Sequence, residues 1–297
     1  RPSSSACTAA TVNPATSGSE TVVLDGESVT RHYEGLKARP IPSLFRGFSA
    51  PVRLAISRQD GDLLTLAGHD TDPFNRWQAL QDAATGLLMR SVEDIREGAR
   101  PIADARLAAA IGSLIETSAK DPAFAALATG LPSEGDMARE IGKDIDPEAI
   151  GRAIDHLRAE IGKAVQPHAA RIYADLSQPV PFSPDGASAG RRALRAQVLR
   201  YLIAADPAEG ANLAFRQFET ANNMSDRTNA LAALLVCEAP EREKALDAFY
   251  TRYENDALIL DMWFGMQARI PGPGSVARVR GLTSHPKFTL ANPNRAR

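Results

Sequence analysis

Apolar residues recur every three or four positions from about Ser57 to the end of the chain, in segments rich in Ala, Leu, Arg and Glu. This spacing places apolar side chains on one face of an α-helix. Ten helices with short connections are more typical of a layered α-α repeat array, resembling a solenoid, than of a compact bundle. The pattern predicts these helices over residues 73–97, 101–118, 122–129, 147–176, 185–205, 207–221, 225–237, 240–254, 256–269 and 275–284.

Four aspartate-proline pairs mark predicted helix starts. The aspartate side chain can accept a hydrogen bond from the first turn, and proline at the first helical position lacks only an N–H that has no partner there. The recurrence indicates repeated helical hairpins, although the sequence shows no strict repeat period. The pairs are Asp72-Pro73, Asp121-Pro122, Asp146-Pro147 and Asp206-Pro207.

Short β-prone runs precede the helical part. Val22–Leu24 and Ser28–Tyr33 flank Asp25-Gly26, and an Asp-Gly pair between such runs is a hairpin signal. The run Pro51–Ile56 alternates apolar with other residues and predicts a third strand. Three short strands do not make a complete sandwich, so they belong either to a small sheet on the helices or to the end of a larger β-domain.

The first twenty residues are almost entirely Ser, Thr, Ala, Gly and Pro, a composition that buries little apolar surface. Together these patterns divide the chain into an irregular or flexible segment over 1–20, a β segment over 21–58 and a helical part over 59–297. Because the chain does not begin with Met, we expect either a processed chain or an excised fragment, and we favour the fragment.

Charge and composition exclude several classes of partner. The 34 basic and 36 acidic residues leave a net charge of −2, which favours neither nucleic acid nor an anionic membrane surface. No apolar run approaches the roughly 20 residues of a membrane span. The two cysteines, Cys7 and Cys237, make no disulfide framework, and a reducing, cytoplasmic setting is expected.

No complete catalytic or metal-binding constellation is visible in the sequence. None of the five histidines has the spacing of a zinc-binding pair on a helix with an adjacent glutamate. His156 and Glu160 share a helix face and predict an exposed ion pair. The polar turn His69–Asp72 could hold a cation, but capping of the next helix explains the same residues. The segment Pro271–Ser275 has no lysine or preceding strand and predicts a loop.

One basic stretch leaves two interpretations open. Its arginines recur at helical spacing and could meet a phosphate or a peptide carboxylate, or could form a charged, solvated face. They are Arg191, Arg192, Arg195 and Arg200.

Several sequence segments, in order, resemble the C-terminal half of bacterial aminopeptidase N, a gluzincin-type zinc metallopeptidase. The similarity runs from about residue 21 to the end of the chain, and the combination is far more specific than any single segment. The segments are Pro42–Val52, His69–Trp77, Leu131–Glu134, Asp146-Pro147, Gln217–Glu219, Ala221–Asp226, Leu260–Phe264, His285-Pro286 and Asn292–Arg295.

The resemblance implies that residues 21–58 are a partial β-sandwich domain and that residues 59–297 are a helical C-terminal domain, truncated at its end. That domain would be non-catalytic: it would pack on the missing catalytic domain and restrict the access of peptides to the active site. The parent would bind zinc in its catalytic domain and release N-terminal amino acids from peptides. None of the family's catalytic residues or metal ligands has a matching position here, so no cofactor is expected in this chain.

By the position of the Asn-Pro-Asn-Arg segment in the family, the resemblance predicts that Arg295 and Arg297 lie near the path of the substrate. Capping of a final helical turn is the alternative role of these arginines.

Apolar helix faces that lack the neighbours they have in the parent predict self-association of this chain. Two rival functions remain: a stand-alone helical-repeat scaffold that binds a protein or peptide, and a distinct hydrolase whose site is assembled from distant residues.

Overall fold

The computed structural model describes residues 5–12, 19–34, 36, 38–48, 54, 56, 58 and 60–296. These residues contain a short β segment followed by helices, which confirms the predicted mostly helical fold with a preceding β segment. The α-helices, α1 to α13 in order, are Asp60–His69, Pro73–Arg96, Ala105–Glu116, Pro122–Ala128, Glu134–Ile141, Pro147–Leu176, Gly186–Ala205, Pro207–Thr220, Met224–Leu234, Pro240–Tyr253, Ala257–Ala268, Ser275–Thr283 and Pro293–Ala296.

The β segment is a three-stranded antiparallel sheet. Its strands are Ser5–Val12 (β1), Ser19–Leu24 (β2) and Ile41–Leu44 (β3), in the order β2-β1-β3. The prediction of an irregular segment over 1–20 is therefore wrong over Ser5–Val12. That strand is central and pairs on both edges, Ser5 with Leu24 and Ala9 with Leu44, so pairing overrides its small-residue composition.

The predicted hairpin around Asp25-Gly26 is also wrong. Strand β2 pairs with β1, and residues 28–33 are not in a strand. The Asp-Gly pair lies at a bend that no strand follows. Strand β2, before this bend, pairs with β1, which precedes it in the chain. Of the third predicted strand, Leu54 and Ile56 are described and lie outside any strand, whereas residues 51–53 and 55 fall outside the described residues.

The predicted caps at the four aspartate-proline starts are confirmed. Carboxylate oxygens of Asp72, Asp121 and Asp146 each accept from the backbone N–H three residues on, at 2.9–3.0 Å. Asp206 accepts from the N–H groups of Ala208 and Glu209, both at 3.1 Å. Each cap satisfies donors of the first turn that no helical carbonyl can reach.

The chain divides into two compact units, residues 1–118 with 127–164 and residues 119–126 with 165–297. The predicted boundary near residue 58 lies inside the first unit, and the division into a partial β-sandwich domain and a truncated helical domain stays a prediction. None of the described helices is long and apolar enough to span a bilayer.

Within the first unit, a buried polar cluster joins β3 to the start of α2. Asp70, whose side chain is 0 % exposed, accepts hydrogen bonds from Ser43 and Arg46 and, at 2.9 Å, from the N–H of Asp72. The Asn75 amide donates to Ser43 Oγ at 2.7 Å and to the Leu44 carbonyl at 2.9 Å. Charged and polar groups at this depth are stable only when paired, so the cluster fixes the strand on the helices.

Within the second unit, α7 and α8 approach closely at a glycine. A Cβ on Gly210 would lie 2.5 Å from the Cα of Ile203 and 2.9 Å from its backbone nitrogen. Buried apolar residues surround this contact, including Leu199, Ala211 and Ala214, each 0 % exposed. The absence of a side chain at Gly210 therefore sets the distance between the two helices.

An ion-pair cluster joins α10 to α12 in the same unit and predicts acid sensitivity. The Arg278 guanidinium donates to Glu243 at 2.8 Å and to Gln267 at 2.7 Å. Hydrogen bonding from Arg278, aided by Arg242, lowers the pKa of Glu243 below its ordinary 4.5. A carboxylate with a depressed folded-state pKa stabilises the protein above its unfolded pKa, and this contribution is lost as pH falls through the folded pKa.

We therefore expect Glu243→Gln to lower the thermal midpoint at neutral pH and to converge with the unmodified chain only below the depressed folded-state pKa of Glu243, where both side chains are neutral. Melting curves across pH 3–7 measure this. Glu219→Gln, at an exposed position on α8, is the matched control and should show a much smaller difference at neutral pH. An equal effect of the two variants would contradict the assigned role of Glu243.

Candidate functional site

Most of the polar residues singled out in the sequence have structural roles. Asp72 caps α2, and Asp70 lies in the buried cluster, which confirms the capping interpretation of that turn. Glu160 pairs with Lys163 at 2.8 Å. Hydrogen bonding from Lys163 lowers the pKa of Glu160, and the charge of His156 acts in the same direction, so the predicted interaction is present but lysine is the closer partner. The predicted loop over Pro271–Ser275 is confirmed as far as Gly274, and Ser275 begins α12, with its Oγ donating to the Ile270 carbonyl at 2.8 Å.

Arg295 is held by partners within the chain. Its Nε lies 2.5 Å from an Asp261 carboxylate oxygen, and the two side chains are only 11 % and 13 % exposed. It also donates to the Lys287 carbonyl, and its guanidinium lies 5.8 Å from the Phe264 ring centroid. These contacts anchor α13 to α11. The role of Arg295 in substrate approach stays a prediction. Arg297 lies outside the described residues.

If anchoring is the main role of Arg295, Arg295→Gln and Asp261→Asn should each destabilise the chain by about 2 kcal/mol, as expected for a charge-assisted pair with little exposure. The double variant should lose much less than the sum, because both changes remove the same interaction. Denaturant melts of the three variants measure this coupling. Additive losses, or none, would show that the pair does not anchor α13.

The basic stretch on α7 has two kinds of arginine. Arg191 and Arg200 are exposed, as the solvated-face interpretation predicts, whereas Arg192 and Arg195 are partly buried. Arg191, Arg192 and Arg195 line a cavity of about 140 Å³ in the second unit, which we call the arginine cavity. Its other walls come from the loop 177–185 before α7 and from residues 220–226 between α8 and α9.

Arg195 stands between the arginine cavity and a second cavity of about 520 Å³ that lies beside α6 and α8. Its Nη1 lies 4.0 Å from Asp226, its guanidinium lies 5.4 Å from the Tyr173 ring centroid, and its Nε has no acceptor among the described residues. Burial raises the pKa of Tyr173, with the charge of Arg195 acting in the opposite direction. Tyr173 is thus a neutral donor that bonds Gln217 at 3.0 Å.

The loop wall of the arginine cavity is fixed by hydrogen bonds from its rim. Arg192 Nη1 donates to the Ser183 carbonyl at 2.8 Å, and its guanidinium lies 5.0 Å from the centroid of the Phe182 ring. The Asn222 amide donates to the Val180 carbonyl at 3.3 Å. Sequence reasoning found the arginines but missed Phe182 and Asn222, because these reach the cavity from other elements.

Comparisons with known proteins agree with this fold. A protein family described as "Domain of unknown function (DUF3458_C) ARM repeats" matches residues 60–297. The aminopeptidase N of Caulobacter vibrioides is 37 % identical over 94 % of this chain and 32 % of its own length. That of Escherichia coli is 30 % identical over 89 % of this chain and 30 % of its own length.

A crystal structure of Legionella pneumophila aminopeptidase A in complex with aspartic acid has the same fold over 99 % of this chain and 35 % of its own. The TM-score is 0.83 at 24 % identity, so this likeness concerns the fold alone. The fold and the family match define a helical ARM-repeat domain. The chain belongs to this family, as the C-terminal ARM-repeat domain of aminopeptidase N, and it spans about a third of the length of the curated relatives it matches.

Proposed function

We propose that this chain packs on the catalytic domain of an aminopeptidase N and restricts the access of peptides to the active site. The parent would release N-terminal amino acids from peptides in the cytoplasm. The observation that supports this is the match of an ARM-repeat array to about a third of the length of the two aminopeptidases N. Arrays of stacked helices form extended surfaces that can enclose a space without supplying its chemistry.

Zinc would belong to another part of the parent. In the part of the chain that the structure describes, no group of three or more His, Cys, Asp or Glu side chains is placed to hold a metal ion. These residues therefore do not fit a zinc site, which requires three or four such ligands around one point. We assign no step of the reaction to this chain, and we place the zinc and its ligands in the parent's catalytic domain.

Adding this chain in trans to the remaining portion of its parent tests the proposal. We expect the chain alone to be inactive on a chromogenic alanyl substrate, and the recombined protein to cleave short peptides while rejecting a folded protein with a free N-terminus. Co-sedimentation of the two pieces tests packing separately from activity. The ratio of the cleavage rates of short peptides and of the folded protein is measured with and without the chain. The same ratio in both cases would contradict the access role.

Two rivals would be recognised in the same experiment. A stand-alone scaffold would fail to bind the remaining portion while staying folded by circular dichroism. A distinct hydrolase would itself release the reporter, in a preparation shown to contain no parent enzyme.

Exposed apolar side chains near the C-terminus support packing against other protein. Leu258 and Met262 lie one turn apart on α11 and are 76 % and 40 % exposed, and Val276 on α12 is 63 % exposed. Exposed apolar side chains one turn apart, such as Leu258 and Met262, are typical of surfaces that bind protein. We expect the isolated chain to self-associate with rising concentration. A single monomeric boundary in sedimentation velocity across a hundredfold concentration range would contradict this.

A further inference from the structure

We propose that the arginine cavity binds the carboxylate end of a short peptide, with the apolar side chain of that peptide's last residue against Phe182. This goes beyond the access role, because a domain that excludes molecules by shape alone needs no affinity for a peptide.

The charge in the cavity favours an anion. Three guanidinium groups line it, and Asp226 is the only acid among its lining residues. One carboxylate oxygen of Asp226 lies 4.0 Å from Arg195 Nη1, and the second oxygen accepts a hydrogen bond from the Asn223 amide at 2.8 Å. Arg191, the third of these arginines, is exposed. The excess is therefore positive, and guanidinium groups match the planar geometry of a carboxylate.

Two of the three arginines are already held in place. Arg192 is bound to the Ser183 carbonyl and lies over Phe182, and the Arg195 side chain is only 14 % exposed. Ordering long side chains on binding costs entropy, so arginines fixed beforehand bind more tightly than mobile surface ones.

An apolar wall beside the cations indicates which carboxylate fits. Phe182 and Val180 are 51 % and 58 % exposed, although the loop that carries them is held by Arg192 and Asn222. A fixed aromatic surface next to a cationic one suits a carboxylate whose neighbouring carbon carries an apolar side chain. The C-terminal residue of a peptide has this arrangement.

The start of α7 disfavours phosphate at the same place. Helix N-termini bind phosphate through free backbone N–H groups. Here the Asp185 carboxylate caps the helix and accepts from the Ser188 N–H at 2.9 Å. Hydrogen bonding from Ser183, together with this capping, holds the pKa of Asp185 well below its ordinary range, so the carboxylate stays ionised and keeps its acceptor role at the cap.

Isothermal titration of the 297-residue chain with the dipeptide Ala-Phe tests the proposal. We expect saturable binding to Ala-Phe, at least tenfold weaker binding to its C-terminal amide, which lacks the negative charge, and weaker binding to inorganic phosphate. Equal affinity for the acid and the amide, or tighter binding of phosphate than of Ala-Phe, would overturn it.

Variants of single arginines locate the binding. Arg191→Gln and Arg192→Gln should each weaken Ala-Phe binding by about tenfold, as expected for one lost charge-assisted contact. Arg200→Gln is the matched control, because Arg200 is exposed on the same helix and does not line the cavity. Circular dichroism checks that all three variants fold. Equal affinities for the three variants would place the binding elsewhere and overturn the assignment, whatever the parent's access role proves to be.

Discussion

Gly210→Ala should destabilise the chain by about 3 kcal/mol, near the upper end of the usual cost of overpacking a core. A methyl group there would meet the Ile203 backbone at 2.5 Å, and backbone cannot rotate away as a flexible side chain can. Alanine has the higher helix propensity, but that gain of about 1 kcal/mol is smaller than the expected cost of the clash. Urea denaturation gives the difference as a lower midpoint at unchanged slope.

Gly265→Ala is the matched control for that experiment. Gly265 lies inside α11, in the same unit, and a Cβ there would have no heavy atom within 4 Å. We expect this variant to be slightly more stable, by up to about 1 kcal/mol, through helix propensity alone. If Gly210→Ala were as stable as Gly265→Ala, the close approach of α7 and α8 would be wrong.

Asp70→Ala should cost about 4 kcal/mol, the range observed when one partner of a buried ion pair is removed. The Asp70 side chain is 0 % exposed, and its loss removes the acceptor of Ser43 and of the Asp72 N–H. Arg46 loses its carboxylate partner and keeps two hydroxyl acceptors, Ser43 and Thr71. Helix α2 keeps its own cap, because Asp72 still accepts from the Asn75 N–H. The expected signature is therefore a loss of global stability in a denaturant melt with little change in helical content under native conditions.

Asp104→Ala provides the comparison for Asp70. Asp104 also accepts from an arginine and from a backbone N–H, but its partner Arg106 is 61 % exposed and both groups sit at the start of α3. We expect a loss of about 1 kcal/mol, typical of a removed helix cap. Similar losses for the two variants would show that burial of the Asp70 cluster adds nothing.

Features that depend on local chemistry were predictable from the sequence. Long amphipathic helices with aspartate-proline starts, such as α2 and α6, appear within a residue of their predicted bounds. Helix α1 was missed because Gly61 and Gly68 weaken its helical pattern, although its Leu66 and Ala67 are buried. Helix α5 was missed despite a capping box between Ser133 and Asp136, a signal that the sequence does contain.

Features that depend on distant partners were not predictable. Strand β1 has a composition typical of irregular structure. It forms a strand because β2 and β3 pair with it on either side. In the arginine cavity, helical spacing identified the arginines of α7 but could not distinguish the exposed Arg191 from the partly buried Arg195. That difference depends on Asp226 and Tyr173, which are distant in the sequence.

The buried thiol of Cys237 offers a way to measure the rate of local opening in the second unit. The residue follows α9, is 2 % exposed, and its sulfur lies 3.5 Å from the Ala233 carbonyl. Burial raises the pKa of this thiol, so alkylation requires both exposure and deprotonation. The rate at which a maleimide appears on the Cys237 peptide in mass spectrometry would report how often this region opens. If the chain packs on a catalytic domain as proposed, that rate should fall when the rest of the parent is present.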